Sequence, residues 1–101
     1  MDKKIETFTE FRSRLVEATK RLETLMKRDP DPSYASILKQ IQQVAEWTSK
    51  GFRPRDEDLT RLSFGMLASR NLDDTDQPLA RELYMIADTL SHWPSAHTEW
   101  K

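Results

Sequence analysis

Apolar residues recur along the chain in steps of three and four, which is the spacing of one face of an α-helix. In the first third of the chain they are Phe8, Phe11, Leu15, Ala18, Leu22 and Leu25. Thr7 and Glu10 have the spacing of a capping box, a signal for a helix start. The residues before Pro30 and Pro32 are pushed out of the α region, so the helix must end there. The pattern predicts a long first helix near residues 5–28.

A second helical pattern follows the two prolines. Its apolar face contains Tyr34, Ile37, Leu38, Ile41, Val44, Ala45 and Thr48. Ser33 can cap the start and Gly51 can supply the residue after the end, so we predict a helix over 33–50. Trp47 lies beside this face. We interpret it as a residue at the edge of the core, although tryptophan is also enriched at the centres of protein interfaces.

Two further helical patterns flank a short loop that is rich in carboxylates. The first predicts a helix over 56–70, with a stripe formed by Leu59, Leu62, Ser63, Met66, Leu67 and Arg70. The second predicts a helix over 77–93, with a stripe formed by Leu79, Leu83, Ile86, Ala87, Leu90 and Trp93. Asp76 is a good N-cap, Pro78 is tolerated in the first turn, and Pro94 forbids further helix. These segments predict a helical hairpin with an acidic tip, the loop that carries Asp73, Asp74 and Asp76.

The four predicted helices indicate an all-α fold, a compact four-helix antiparallel bundle. A chain of 101 residues forms one domain, so residues 1–101 are assigned to a single unit. Ser95–Lys101 shows no periodicity and is expected to be irregular, from about residue 94. We interpret the seam of the first helix as packing within its own bundle and not as a coiled-coil dimer, and either a monomer or a homodimer fits the sequence.

Composition narrows the class of protein. Cysteine is absent, which excludes disulfides and cysteine-based zinc sites. The sequence contains neither an apolar run of signal-peptide length nor a stretch that could span a bilayer, so a cytoplasmic protein without a membrane partner is expected.

The net charge of −1 hides an uneven distribution. Residues 1–28 contain eight basic and five acidic residues, which give a charge of +3. Residues 29–55 contain four basic and three acidic residues, which give +1. Residues 56–101 contain four basic and nine acidic residues, which give −5. The acidic last half repels phosphate backbones and favours a basic protein partner. Ordinary solubility is the alternative explanation.

No group of residues has the pattern of a catalytic or metal site. His92 and His97 stand on either side of Pro94, so they do not share a helix face and are interpreted as surface histidines. An EF-hand loop begun at Asp74 would place Leu79 where glycine is required, so calcium binding is not expected. We therefore predict no enzyme activity, no cofactor and no metal.

Nucleic acid is not an expected partner either. A helix-turn-helix motif could occur at the turn between the second and third predicted helices, where the basic residues are Lys50, Arg53, Arg55 and Arg61. The recognition helix, which must approach the phosphates of DNA, would then begin with the acidic residues Asp56, Glu57 and Asp58.

The central hairpin carries a resemblance to a known family. The residues are Leu59-x-Arg61-Leu62-x-x-Gly65-x-x-Ala68, followed by Asp73-x-Thr75-Asp76-x-x-Leu79-x-Arg81-x-Leu83. In order and spacing they resemble the all-helical type VI secretion immunity family, whose members neutralise a secreted NAD(P)+-glycohydrolase toxin. The likeness covers about half of the chain, firmest over Leu59 to Leu83 and looser over Ile37 to Trp47.

The resemblance implies an inhibitor that binds a cognate toxin domain and occludes its active site. Two alternatives remain at this stage. One is an immunity protein for a toxin of different chemistry, and the other is a helical adaptor or chaperone of a secretion system.

The acidic tip and the adjoining helix faces are the predicted contact surface. Its residues are Asp73, Asp74 and Asp76 at the tip, Glu57 and Asp58 as the rim, and Phe64 and Trp47 as apolar anchors. Phe64 lies off the predicted stripe, so it belongs either to a second buried face or to an exposed anchor. Gly65 in the middle of a predicted helix costs about 1 kcal/mol against alanine, and close approach of another helix or of a partner backbone would explain it.

Overall fold

The described residues form four helices and one additional helical turn. The computed structural model describes residues 5, 7–51, 54–72 and 75–91. The elements are α1 (Phe8–Arg28), α2 (Pro32–Trp47), α3 (Asp56–Leu59), α4 (Phe64–Asn71) and α5 (Gln77–Ser91). Since α3 is a single turn and the described ranges contain no strand, the predicted all-α four-helix fold is confirmed.

Side-chain contacts show that neighbouring helices run in opposite directions. Arg12 near the start of α1 donates a hydrogen bond of 2.6 Å to the carbonyl oxygen of Ala45 near the end of α2. Tyr34 near the start of α2 donates one of 3.4 Å to the carbonyl oxygen of Asn71, the last residue of α4. Helices α1 and α2 are therefore antiparallel, and so are α2 and α4.

The first and last helices are antiparallel in the same way. Arg14 contacts Glu82 at 2.8 Å, and Arg21, two turns further along α1, contacts Asp76, just before α5, at 2.8 Å. Helices α4 and α5 also pack against each other. The order of packing is α1, α2, α4, α5 and back to α1, which closes the bundle around one core.

The core is formed by the apolar faces that the spacing predicts for α1, α2 and α5. Its buried apolar residues are Ile5, Phe11, Leu15, Ala18, Leu22, Tyr34, Ile37, Ile41, Val44, Phe64, Ala68, Leu72, Leu79, Ala80, Leu83, Ile86 and Leu90. Thr48 is buried too, but its hydroxyl donates to the carbonyl of Val44 at 2.8 Å and accepts from Arg12 at 3.0 Å. The bonds satisfy this polar group inside the protein.

The helix starts are set by side-chain caps. Thr7 accepts a hydrogen bond of 3.0 Å from the backbone N–H of Glu10, as the capping box predicts. The predicted cap of the second helix, Ser33, is wrong by two residues. Asp31 is the N-cap and accepts from the N–H of Ser33 at 2.8 Å, while Pro32 is the first helical residue, a position that proline favours.

Helix α2 ends three residues before the predicted boundary. Trp47 is its last residue, and the N–H of Thr48 donates to the carbonyl of Val44 at 3.0 Å. A turn follows, in which the N–H of Gly51 donates to Thr48 at 2.9 Å. Gly51 has a φ of +87°, a conformation that favours glycine because other residues have a Cβ atom.

The predicted continuous helix over 56–70 is wrong, because it is broken into α3 and α4. Helix α3 ends at Leu59 and α4 begins at Phe64. Between them, the N–H of Ser63 donates to Oε1 of Gln40 on α2 at 2.7 Å, and Nε2 of Gln40 donates to the Ser63 hydroxyl at 3.1 Å. The backbone N–H of Ser63 therefore donates to Gln40 and not to a carbonyl of the preceding turn, so the helix does not continue through Ser63.

Several predictions fall beyond the described part of the chain. Helix α5 is described to Ser91, so the predicted end at Trp93 and the irregular segment Ser95–Lys101 lie outside the described residues, as do His92 and His97. Among the residues that are described, no helix combines the length and the apolar content that a membrane crossing requires.

Candidate functional site

The predicted contact residues fall into two groups at opposite ends of the hairpin formed by α4 and α5. Asp76 lies in the loop between these helices, and the other two predicted tip residues, Asp73 and Asp74, are outside the described residues. Glu57, Asp58 and Phe64 precede or begin α4, so they lie at the other end of the hairpin. Trp47 ends α2, which is antiparallel to α4, and therefore lies at that other end too.

Asp76 is engaged by its own chain. Its Oδ1 accepts a hydrogen bond of 3.2 Å from the N–H of Leu79, which confirms the predicted N-cap of α5. Nη2 of Arg21 also donates to Oδ1 at 2.8 Å and to Oδ2 at 3.1 Å. Because the carboxylate is both hydrogen-bonded and paired with a cation, Asp76 holds the start of α5 in place.

The surroundings of Asp76 are basic. A groove of about 320 Å³ beside Asp76 is lined by Lys20, Arg21, Thr24, Leu25, Arg28 and Asp76. The antiparallel packing of α1 against α5 brings the basic residues of α1 next to Asp76. This groove is therefore lined by side chains of both charges, and the acidic tip that Asp76 forms with Asp73 and Asp74 stays a prediction.

The carboxylates of α3 differ in exposure. The Glu57 side chain is 66% exposed and lies 3.5 Å from Nη1 of Arg55, while the Asp58 side chain is 17% exposed and lies 3.6 Å from Nε of Arg55. Both are in the first turn of a helix, where negative charge is favoured by the backbone N–H groups. Glu57 is the more accessible of the two predicted rim residues.

Of the two predicted anchors, Phe64 is part of the core and Trp47 packs against it. Phe64 is 2% exposed, so the buried alternative holds and the prediction of an exposed anchor is wrong. Trp47 is half-buried against the core, in agreement with its interpretation as a core-edge residue. The break between α3 and α4 explains the error for Phe64, because it rotates α4 so that Phe64, Ala68 and Leu72 face inwards.

The same rotation turns Met66 outwards. The side chain of Met66 is 52% exposed, although the sequence places it in the buried stripe of a continuous helix. The spacing of four from Phe64 to Ala68 and from Ala68 to Leu72 is the signal in the sequence that could have indicated the correct face.

An apolar groove lies beside Met66. We use this name for the depression of about 340 Å³ lined by Leu59, Leu62, Ser63, Phe64, Gly65, Met66, Ala87, Leu90 and Ser91. A Cβ atom added at Gly65 would lie 3.6 Å from the Cβ of Ala87, which is ordinary van der Waals contact. Gly65 is in the first turn of α4 and not in the middle of a helix. The free-energy cost of glycine relative to alanine is therefore smaller than the sequence suggests.

An ion-pair network joins α1 to α5 midway between the two ends. Nη1 of Arg14 lies 3.0 Å from Oε1 and 2.8 Å from Oε2 of Glu82, and Nη2 lies 3.2 Å from Glu10. Burial of the guanidinium opposes its charge, but the hydrogen bonds and attraction from Glu82 and then Glu10 outweigh that cost and raise the pKa of Arg14.

The family model Tsi6 matches residues 9–92, more than four fifths of the chain. The chain belongs to the Tsi6 family. Tsi6 is a family of type VI secretion immunity proteins, so the chain is an immunity protein whose partner is a toxin. No curated protein and no solved structure is significantly similar to the chain.

The Tsi6 match extends the resemblance that the sequence shows. The match includes nearly all of α1, where the sequence shows no residues that resemble the family, and it spans α2 to α5 completely. Within the described ranges of this Tsi6 chain, no group of three or more histidine, cysteine or acidic residues is arranged to hold a metal ion.

Proposed function

We propose that this Tsi6-family protein binds a cognate toxin that hydrolyses NAD+ or NADP+, and that it blocks the active site of that toxin in the cytoplasm of the producing cell. The observation that carries the proposal is the family match over residues 9–92, which includes nearly all of α1 and the whole of the other helices. The residues of the central hairpin, from Leu59 to Leu83, support the choice of an NAD(P)+-hydrolysing toxin, because their order and spacing resemble those of the immunity proteins for such toxins.

The chemistry of the tip fits occlusion of a dinucleotide site. A cleft that binds a pyrophosphate offers backbone N–H groups and basic side chains. The carboxylates of Asp73 and Asp74 could occupy such a cleft in place of the phosphates. Asp76 fixes the start of α5, because its carboxylate is held by Arg21 and caps this helix.

The protein acts by binding and not by catalysis in this proposal. A trace of free toxin would be lethal to the producing cell, so the affinity is expected to be nanomolar or tighter, about −12 kcal/mol or beyond. An interface of about 800 Å² per partner is typical for a complex of this kind.

Asp74 provides the test. The assay measures NAD+ consumption by the C-terminal domain of the toxin encoded beside this gene, with wild-type protein and with Asp74→Lys. We expect wild-type protein to stop the reaction at a one-to-one ratio and Asp74→Lys to bind about 2 kcal/mol more weakly, mostly through faster dissociation. The control is Glu17→Lys, which makes the same change at an exposed position on α1.

The outcomes separate the parts of the proposal. If wild-type protein neither binds nor inhibits the toxin, the proposed function is wrong. If it inhibits a toxin that does not consume NAD+ or NADP+, the protein protects against a toxin of different chemistry. If Asp74→Lys binds as tightly as Glu17→Lys does, the tip is a solvated turn and the toxin is held elsewhere.

A further inference from the structure

The apolar groove has features that are common at the centres of protein interfaces. Its walls are formed by Leu59 at the end of α3, by Leu62 and Ser63 in the following segment, by the first turn of α4 and by the end of α5. Leu59 and Leu62 are half-buried at one side, and Met66 is 52% exposed at the edge. Protein interfaces commonly combine an apolar centre with a polar rim, and methionine is enriched at their centres because its flexible side chain adapts to a partner.

We propose that the apolar groove is a second contact surface for the toxin, and that it receives an apolar side chain from a toxin segment that also carries lysine or arginine. The proposal rests on the function proposed above and deepens it. It places a contact at the end of the hairpin opposite the acidic tip.

The charge around the groove determines the kind of partner. The charged residues within four positions of the described lining residues are Arg55, Asp56, Glu57, Asp58, Arg61, Arg70 and Asp88. Four carboxylates against three guanidinium groups leave a net charge of −1. Glu57 is 66% exposed, so part of this negative charge is accessible to a partner. A basic partner segment complements this rim, and complementary charge speeds association and selects the partner.

The same charge disfavours a second copy of this chain as the occupant. A dimer built on a two-fold axis through the groove would place the carboxylates of α3 from both copies near one another. Like charges brought together at an interface are unfavourable. A toxin surface that is basic enough to bind pyrophosphate meets no such repulsion.

One toxin domain can cover both the tip and the groove. Asp76 and Ala87 are eleven residues apart along α5, which corresponds to about 16 Å at the rise of an α-helix. A roughly circular interface of about 800 Å² is about 32 Å across. A toxin whose active site takes the tip therefore extends far enough to reach the apolar groove.

A matched pair of substitutions tests the groove. Met66 and Val16 are both large apolar residues on helices and are 52% and 50% exposed, but Val16 lies on α1, away from the groove. We expect Met66→Lys to weaken binding of the toxin domain about 30-fold, since a lysine would meet a basic partner in place of an apolar contact. Val16→Lys should change the affinity less than about 3-fold, and both variants should melt close to the wild-type temperature.

The affinities of the two variants decide whether the apolar groove contacts the toxin. Equal affinities for Met66→Lys and Val16→Lys overturn the groove proposal while leaving the proposed function intact, provided that wild-type protein inhibits. Failure of the wild-type protein to bind overturns both. A loss confined to Met66→Lys supports the groove, even where Asp74→Lys binds normally.

Two further measurements identify other occupants of the groove. If wild-type protein is a dimer in solution and Met66→Lys is a monomer, the groove serves self-association and the proposal is overturned. The methyl signal of Met66 in an NMR spectrum should shift when the toxin binds. If it instead shifts in the full-length double variant Trp93→Ala, Trp100→Ala and not with toxin, the C-terminal segment occupies the groove and the proposal is wrong.

Discussion

Asp76 combines a cap and an ion pair in one carboxylate. Its Oδ1 accepts from the N–H of Leu79 and from Arg21. An asparagine at this position keeps an oxygen that can cap the helix but loses the negative charge, so two substitutions separate the two interactions.

We expect Asp76→Ala to lower the free energy of unfolding by about 1 to 1.5 kcal/mol, of which the cap supplies about 1 kcal/mol. Asp76→Asn should cost about 0.5 kcal/mol or less, because Arg21 is half-exposed and ion pairs of that kind contribute little. Urea unfolding measures both values. An equal loss in the two variants would show that the ion pair, and not the cap, is the stabilising interaction.

Residue spacing predicts most of the core but misplaces one pair of side chains. The buried positions of α1, α2 and α5 follow from steps of three and four, because each of these helices is continuous. Phe64 and Met66 exchange the positions expected for them, since burial at these residues depends on where α4 begins. Asp73 and Asp74, which the sequence places at the tip, lie outside the described residues and stay a prediction.

At the scale of the element, the break between α3 and α4 could not be predicted from local spacing. The spacing of Leu59, Leu62 and Met66 is that of one face of a continuous helix. The interaction that ends this pattern comes from Gln40, which is 23 residues away in the sequence and donates to and accepts from Ser63. A bond between two elements thus decides a boundary that appears local.

We expect Gln40→Met to lower the free energy of unfolding by about 1 to 2 kcal/mol, because it preserves the length of the side chain but leaves the N–H of Ser63 without its acceptor. The matched control is Gln42→Met, an exposed position of the same helix, with an expected change within about 0.5 kcal/mol. Chemical denaturation followed by circular dichroism provides both values. Equal losses in the two variants would contradict the assigned role of Gln40.

At the scale of the whole molecule, part of the charge asymmetry of the sequence is neutralised by ion pairs. The basic first segment and the acidic last half are brought together by the antiparallel packing of α1 and α5, through Arg14 with Glu82 and Arg21 with Asp76. A sum of charges along the chain could not show this, because it contains no information about which segments are neighbours. Family membership, in contrast, agrees with the sequence resemblance and extends it to residues 9–92.

A double-mutant cycle measures the connection between the first and last helices. We expect Arg14→Met and Glu82→Gln each to lower the free energy of unfolding by about 1 to 2 kcal/mol, with a coupling of about 1 kcal/mol, because the pair is half-buried and doubly hydrogen-bonded. Since the pKa of Arg14 is raised, its contribution is complete below the ordinary arginine pKa and is lost only as the pH rises through the raised value. The coupling should therefore be the same at pH 6 and pH 9 in urea unfolding. A coupling near zero would show that the ion pair does not contribute to the stability of the fold.

The closure of the bundle between α1 and α5 also sets an order on folding during synthesis. Arg14 and Glu82 are 68 residues apart, whereas the other packed pairs, α1 with α2, α2 with α4 and α4 with α5, are closer together along the chain. At about 5 to 20 residues per second, the ribosome needs about 3 to 14 s to pass from one residue to the other. During that time α1 and α2 lack the helix that completes their core. A newly made molecule therefore cannot close its bundle until α5 has emerged from the ribosome.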